Sequence, residues 1–172
     1  MSPLVVLVGP PGAGKSTVGA LLAVRLGVEL RDADADIEAS TGMTVAELFV
    51  DHGEAHFRAL ERSAVAAALD EHAGVLSLGG GAVLDPDTRA ALRGHRVVFL
   101  DVGLAEAVRR VGLGVSRPLL LGNVRSRLKS LLDERRPAYE SVAWLTVDTD
   151  GRTPVELADD IAAALAREGA AS

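Results

Sequence analysis

The chain contains no cysteine, which excludes disulfides, thiol nucleophiles and thiolate-bound metals and is compatible with a reducing cytosol. No apolar run approaches the length needed to cross a bilayer. No basic stretch precedes the first apolar residues, which follow Met1-Ser2-Pro3 directly, so a secretory leader is not expected and Leu4–Val8 reads as a strand. Positive charge is also short: 18 Lys and Arg face 24 Asp and Glu, a formal charge of −6, which argues against nucleic acid as a partner. Low-complexity segments and internal repeats are missing, and the 18 glycines and 7 prolines are scattered as punctuation. What is present is a 172-residue chain, 48% hydrophobic, the size of one domain with one core.

Residues 9–16 read Gly-Pro-Pro-Gly-Ala-Gly-Lys-Ser, a full match to G-x-x-x-x-G-K-[ST], the loop that holds nucleotide phosphates. Its context fits. The run LVVLV before it suits a buried parallel strand, and after Lys15 the residues Val18, Leu21, Leu22 and Leu26 form one helical stripe. Glycines let the backbone wrap phosphates, and amides at the helix start point at them along the dipole. Pro11, Gly12, Ala13, Gly14, Lys15, Ser16 and Thr17 are thus the candidate phosphate contacts, with Lys15 for the β/γ oxygens and the Ser16 hydroxyl for Mg²⁺.

Apolar runs alternate with helical stretches along the chain. Strands are expected at 4–8, 28–31, 75–78, 96–101 and 144–148. Helices are expected at 15–26, 34–41, 44–51, 54–72, 86–93, 104–111, 124–136 and 154–168. This alternation predicts an α/β fold with a parallel sheet wrapped by helices, whose ligands sit beyond the carboxyl ends of the strands.

The residues after the expected strands carry the chemistry. Asp32, Asp34 and Asp36 follow the second. Asp36 is accounted for as a helix cap, whereas Asp32 and Asp34 suit one Mg²⁺ ligand and one proton acceptor. Asp101, which ends RVVFLD like a Walker B strand, is a rival for the metal, and spacing alone leaves the two open. Phe57, Arg58 and Glu61 share one helix turn, so Glu61 can hold Arg58 for bidentate binding of a carboxylate. Gly79, Gly80 and Gly81 exceed what a turn requires and imply close approach of the backbone to a substrate ring or the γ-phosphate. Arg135, Arg136, Pro137 and Tyr139 end a helix with the usual proline stop.

Eight of the 18 basic residues fall within 109–136, opposed there only by Asp133 and Glu134. An acidic chain with one arginine-rich segment is suited to a small anion. Gly112–Asn123 (GLGVSRPLLLGN) fits no element and holds Arg117 between flexible joints, as a lid that closes on nucleotide would.

Taken together, D-x-D (Asp32, Asp34), F-R-x-x-E (Phe57, Arg58, Glu61), G-G-G (79–81), R-P-L-L from Arg117 and R-x-P-x-Y (Arg135, Pro137, Tyr139) resemble the shikimate kinase family over Leu4 to about Pro154. The resemblance implies a single three-layer P-loop kinase domain over 1–172, nucleoside-monophosphate-kinase-like, with a five-stranded parallel sheet. Within it, a substrate-binding subregion spans about 32–61 and a lid about 112–123. It implies ATP as co-substrate, Mg²⁺ as cofactor and transfer to the 3-hydroxyl of shikimate, a step toward chorismate and the aromatic amino acids. Asp34 would be the base, Arg58 and Arg135 would clamp the carboxylate, with Arg136 as second choice, and Gly79–Gly81 would line the site. Asp32 rather than Asp101 would hold Mg²⁺ with Ser16, Arg117 would reach the phosphates, and Arg110, Arg152 and Pro154 would flank the adenine. A cytoplasmic monomer without nucleic-acid or membrane partners is expected. Ala138 stands where the family has a larger apolar residue. The alternatives are a related kinase of gluconate or a nucleoside monophosphate, or a non-catalytic nucleotide switch.

Overall fold

The computed structural model describes residues 1–112 and 119–171, with the side chains of 111–123 outside the description. Five strands, β1 (Val5–Val8), β2 (Leu30–Asp32), β3 (Val75–Ser77), β4 (Val97–Asp101) and β5 (Leu145–Asp148), form one sheet in the order β2-β3-β1-β4-β5. Every neighbouring pair is parallel. The helices are α1 (Lys15–Leu26), α2 (Ala33–Thr41), α3 (Val45–His52), α4 (Glu54–Glu71), α5 (Pro86–Ala91), α6 (Leu104–Gly112), α7 (Leu119–Val142) and α8 (Pro154–Ala171). A 3₁₀ turn spans Ala82–Leu84.

The period-two alternation of the strands divides the core. Val5, Leu7, Val98 and Leu100 pack with Val18, Leu22, Leu157 and Ile161 on one face of the sheet. Val6, Val8, Val97 and Phe99 pack with Val65, Leu69, Val83 and Tyr139 on the other. All four β1 residues are buried, as expected of a parallel strand covered on both sides. A smaller cluster of Ile37, Leu48 and Phe57 joins α2, α3 and α4 over the carboxyl end of β2. The connections from β1 and β4 lead toward opposite edges of the sheet, to β2 and to β5, so a crevice opens where their carboxyl ends meet.

One helix overruns its expected limits at both ends. The sequence reading ends it at 136, before Pro137, but α7 continues from Leu119 to Val142 with Pro137 inside. An interior proline costs about 3 kcal/mol. Tyr139 supplies the opposing term, being 1% exposed, stacked on Phe99 at 5.0 Å between centroids, with its hydroxyl donating to the Gly80 carbonyl at 2.5 Å. Burying an aromatic ring contributes roughly 2–3 kcal/mol and the hydrogen bond about 1 more, enough to carry the helix past the break. The early part of α7 also takes in 119–123, so the expected lid is shorter than 112–123. Arg117 and the rest of that segment lie outside the described residues.

Candidate active site

The phosphate loop turns out of β1 into α1. Gly9 is required there by close approach, because a Cβ would lie 2.7 Å from the Leu100 carbonyl on β4. Gly14 caps α1 in the left-handed region at φ 90°, where glycine is strain-free. Lys15 folds back over the loop and donates to the carbonyls of Gly9 (2.6 Å) and Pro10 (3.1 Å). Burial lowers its pKa to about 8, against the opposing pull of the Asp34 and Asp32 carboxylates; Arg135 lowers it further. The cations and carboxylates of the crevice are therefore close enough to sense one another.

Asp32, not Asp36, caps α2. Its Oδ1 accepts from the amides of Asp34 (2.8 Å) and Ala35 (3.4 Å), while Asp36 is held by Arg31 at 2.6 Å. The reason is register: Asp32 ends β2 in extended conformation, and the helix starts one residue earlier than its acids suggest. Asp34, in the first turn, points into the crevice. Its Oδ1 is buried without a hydrogen-bond partner among the described residues. Burial, aided by the Asp32 charge, raises its pKa in spite of Lys15.

Arg58 lies on α4 across the crevice. Glu61, 2% exposed, accepts from its Nη1 at 2.8 Å, and Glu54 stands 3.5 Å away. The guanidinium also sits 5.4 Å from the ring centroid of Phe57 and 5.7 Å from that of Phe49. Burial raises the pKa of Glu61 even with Arg58 beside it. This is no surface ion pair worth a few tenths of a kcal/mol. It is a desolvated carboxylate orienting a fork whose exposed edge suits a second carboxylate.

Gly79, Gly80 and Gly81 approach protein side chains of the crevice. A Cβ on Gly79 would meet the Asp34 carboxylate oxygens at 2.8 and 3.0 Å. One on Gly80 would meet Arg135 Nη1 at 3.1 Å, and one on Gly81 would strike the Arg58 guanidinium. Each glycine leaves room for charged side chains of the crevice, Gly79 for Glu61 (3.1 Å) as well as Asp34. Arg135 and Arg136 part company at this point. Arg135 lies at Gly80 and beside the Tyr139 hydroxyl, whereas Arg136 forms a two-point pair with Asp101 at 2.6 and 3.0 Å.

On the far side of the loop, Arg110 donates to the carbonyls of Gly12 (2.7 Å) and Thr149 (3.5 Å). Together with Gly14, Thr17, Arg152, Pro154 and Leu157 it lines a cavity of about 290 Å³. Arg152 is tethered to Asp160 and stands 3.8 Å from Glu156. A larger hollow of about 520 Å³, beside Trp144 and Arg96 at the opposite end of the strands, shares no residue with this crevice. Sequence reading missed Phe49 beneath Arg58, the Asp101–Arg136 pair, and Thr149, which is fully buried and donates through N (2.8 Å) and Oγ1 (2.9 Å) to the Asp101 carbonyl. None carried a spacing signal, since each is defined by a partner distant in sequence.

Among known proteins, the family model for shikimate kinase matches residues 11–166. A shikimate kinase of Salinispora arenicola is 64% identical over 166 residues, covering 96% of this chain and 99% of that one. The structure of shikimate kinase from Acinetobacter baumannii in complex with shikimate superposes with a TM-score of 0.88 at 35% identity, covering 98% of this chain and 94% of the other. A gluconokinase from Sinorhizobium meliloti gives a TM-score of 0.62 at 21% identity over 95% of this chain and 91% of its own, a likeness of fold alone.

Proposed function

The chain belongs to the shikimate kinase family and is an ATP-dependent kinase of shikimate; we propose that Asp34 is the base that takes the proton of the acceptor hydroxyl, the 3-hydroxyl of the ring. The observation that carries this is Asp34 Oδ1, a buried carboxylate oxygen with no hydrogen-bond partner among the described residues. Such an atom is costly unless a donor arrives, and a substrate hydroxyl is a donor. The raised pKa brings Asp34 closer to the range useful for general-base work.

In the proposed reaction the hydroxyl oxygen attacks the γ-phosphorus of ATP in line, the bond from phosphorus to the bridging oxygen breaks, and ADP leaves. The hydroxyl proton passes to Asp34. Transfers of this kind pass through a loose transition state, so alignment and charge neutralisation carry the rate. Arg58, held by Glu61, and Arg135, beside Gly80, bind the acceptor's carboxylate, while Gly79–Gly81 line the site by making room for these side chains. Lys15 turns from the Gly9 and Pro10 carbonyls to the phosphates, which the loop amides from Pro11 to Thr17 cradle. Arg117, which lies outside the described residues, is assigned to the phosphates by its R-P-L-L motif alone, and Arg110, Arg152 and Pro154 flank the adenine.

Ser16 and Asp32 suit Mg²⁺. Both offer hard oxygens beside Lys15, and Asp32 keeps Oδ2 outside its capping bonds. When bound, Mg²⁺ neutralises charge on the β and γ oxygens. The pairing of Asp101 with Arg136 favours Asp32 over Asp101 for that role. The same reading takes residues 1–172 as one domain acting as a cytoplasmic monomer. No helix among the described residues is long and apolar enough to cross a membrane.

ADP release measured in parallel with shikimate, gluconate and AMP tests the acceptor: turnover is expected with shikimate alone. Asp34→Asn should abolish most of it while the protein stays folded. Near-wild-type kcat in folded Asp34→Asn sinks the base assignment.

A further inference from the structure

Arg135 and Arg136 are consecutive on α7, so their side chains leave the helix about 100° apart. Only one of them can face the crevice. Arg136 is turned to the end of β4, where Nη1 and Nη2 grip the Asp101 carboxylate at 3.0 and 2.6 Å. Its guanidinium lies 5.7 Å from the Phe99 ring centroid, and Glu140 stands 3.4 Å away on the same helix. Asp101 is itself a fixed post, since its carbonyl accepts two hydrogen bonds from the fully buried Thr149. Three residues further along α7, Tyr139 stacks on the same Phe99 ring and bonds to the Gly80 carbonyl. The helix is therefore anchored on both sides of Pro137, where its own hydrogen bonding is interrupted.

We infer that Arg136 is a positioning residue for shikimate binding: its two-point pair with Asp101 sets the rotation of α7 about its axis, and so aims Arg135 at the acceptor's carboxylate. The inference rests on the reading of Arg135 as the carboxylate clamp. The pair is partly exposed, Arg136 44% and Asp101 25%, so its contribution to stability is small. Its consequence is directional. A planar fork bound at two points resists rotation in a way a single ammonium contact does not, and loss of the fork leaves Tyr139 as the only one of the two anchors.

The test measures KM for shikimate, KM for ATP, kcat and Tm in Arg136→Met, Asp101→Asn and the double variant, with Arg135→Met alongside. Arg135→Met should raise the shikimate KM about a hundredfold through loss of a charge-assisted contact. Arg136→Met should raise it about tenfold through misplacement of Arg135. Its kcat and ATP KM should stay within about twofold, and Tm should fall by no more than about 3 °C. Asp101→Asn keeps its backbone bonds to Thr149 and should match Arg136→Met, and the double variant should be no worse than either single one. An unchanged shikimate KM in Arg136→Met, with Arg135→Met impaired, overturns the inference and leaves the clamp intact. A raised KM in Arg136→Met with none in Asp101→Asn also overturns it, because Arg136 would then touch the acid itself. Equal losses in every kinetic parameter and in Tm would mark the pair as merely structural. An unchanged KM in Arg135→Met removes the clamp and the inference together.

Discussion

Alanine at Gly79 is the most direct probe of the crevice, because its methyl would be added where the Asp34 carboxylate now lies. The new Cβ would stand 2.8 and 3.0 Å from the two Asp34 oxygens and 3.1 Å from Glu61 Oε2, where ordinary contact begins at 3.4 Å. Glu61 is 2% exposed and bonded to Arg58 at 2.8 Å, so it has little freedom to yield. Asp34 must move instead, by about 0.6 Å, the difference between 3.4 and 2.8 Å. Gly79 is not among the positive-φ glycines, so alanine adds no backbone strain and the effect is confined to the side chains it meets. A misplacement of 1 Å at a reacting centre can cost about a hundredfold in rate, so 0.6 Å should lower kcat about tenfold, about 1.4 kcal/mol of barrier. Coupled ADP release at saturating ATP and shikimate gives kcat, and a thermal melt shows whether the fold is intact. Gly80→Ala is the comparison: its Cβ would meet the flexible tip of Arg135 at 3.1 Å and Pro11 Cδ of the phosphate loop at 3.2 Å, so it should raise the KM for shikimate and for ATP while leaving Asp34 in place. A Gly79→Ala enzyme with kcat within about twofold of the parent and an unchanged Tm would refute the reasoning that Asp34 is held in reacting position by that glycine.

The pKa of Lys15, lowered from 10.5 to about 8 by burial, makes stability depend on pH with a definite sign. Between about pH 8 and 10.5 the unfolded chain carries a proton on this lysine that the folded chain has shed, so stability should rise with pH across that window. Denaturant melts of the parent should therefore gain on those of Lys15→Met between pH 8 and 10, and parallel curves would contradict the desolvation. Asp32 separates capping from metal binding. Asparagine caps as well as aspartate, so Asp32→Asn should hold its Tm while needing more Mg²⁺ for half-maximal rate. Asp32→Ala should show the same Mg²⁺ demand and lose about 1 kcal/mol of stability; a parental Mg²⁺ titration in Asp32→Asn would assign the metal elsewhere.

Much of the fold was legible because parallel strands and amphipathic helices leave local marks. The apolar run before Gly9 and the stripe from Val18 to Leu26 predict β1 and α1, and α1 starts and ends where expected, at Lys15 and Leu26. The five strands all lie within a residue or two of their expected positions. The reading failed where tertiary contacts overrode a local rule. Pro137 is a sound stop signal, but the buried Tyr139 ring and its bond to Gly80 pull α7 through it. The cap of α2 was misread for a related reason, since three alternate acids can each begin a helix and only the end of β2 decides among them.

The site was legible in kind more than in arrangement. Residue types and spacings select a phosphate loop, a carboxylate pair and a set of arginines, because each is demanded by phosphoryl chemistry. They do not say which groups meet, since that depends on pairs separated by tens of residues. The choice between Asp32 and Asp101 turns on Arg136, and the choice between Arg135 and Arg136 turns on Asp101. One ion pair at the end of β4 occupies Asp101 and Arg136 together, which supports proposing Asp32 and Arg135 for the two roles. The glycines of 79–81 belong to the same logic. A run without side chains signals close approach but not to what, and here the approach is to Asp34 and Glu61, to Arg135 and to Arg58 in turn. The charged groups that need aiming at the acceptor are thus packed against a backbone that has nothing to yield. That supports catalysis by preorganised alignment, the requirement a loose phosphoryl transition state imposes.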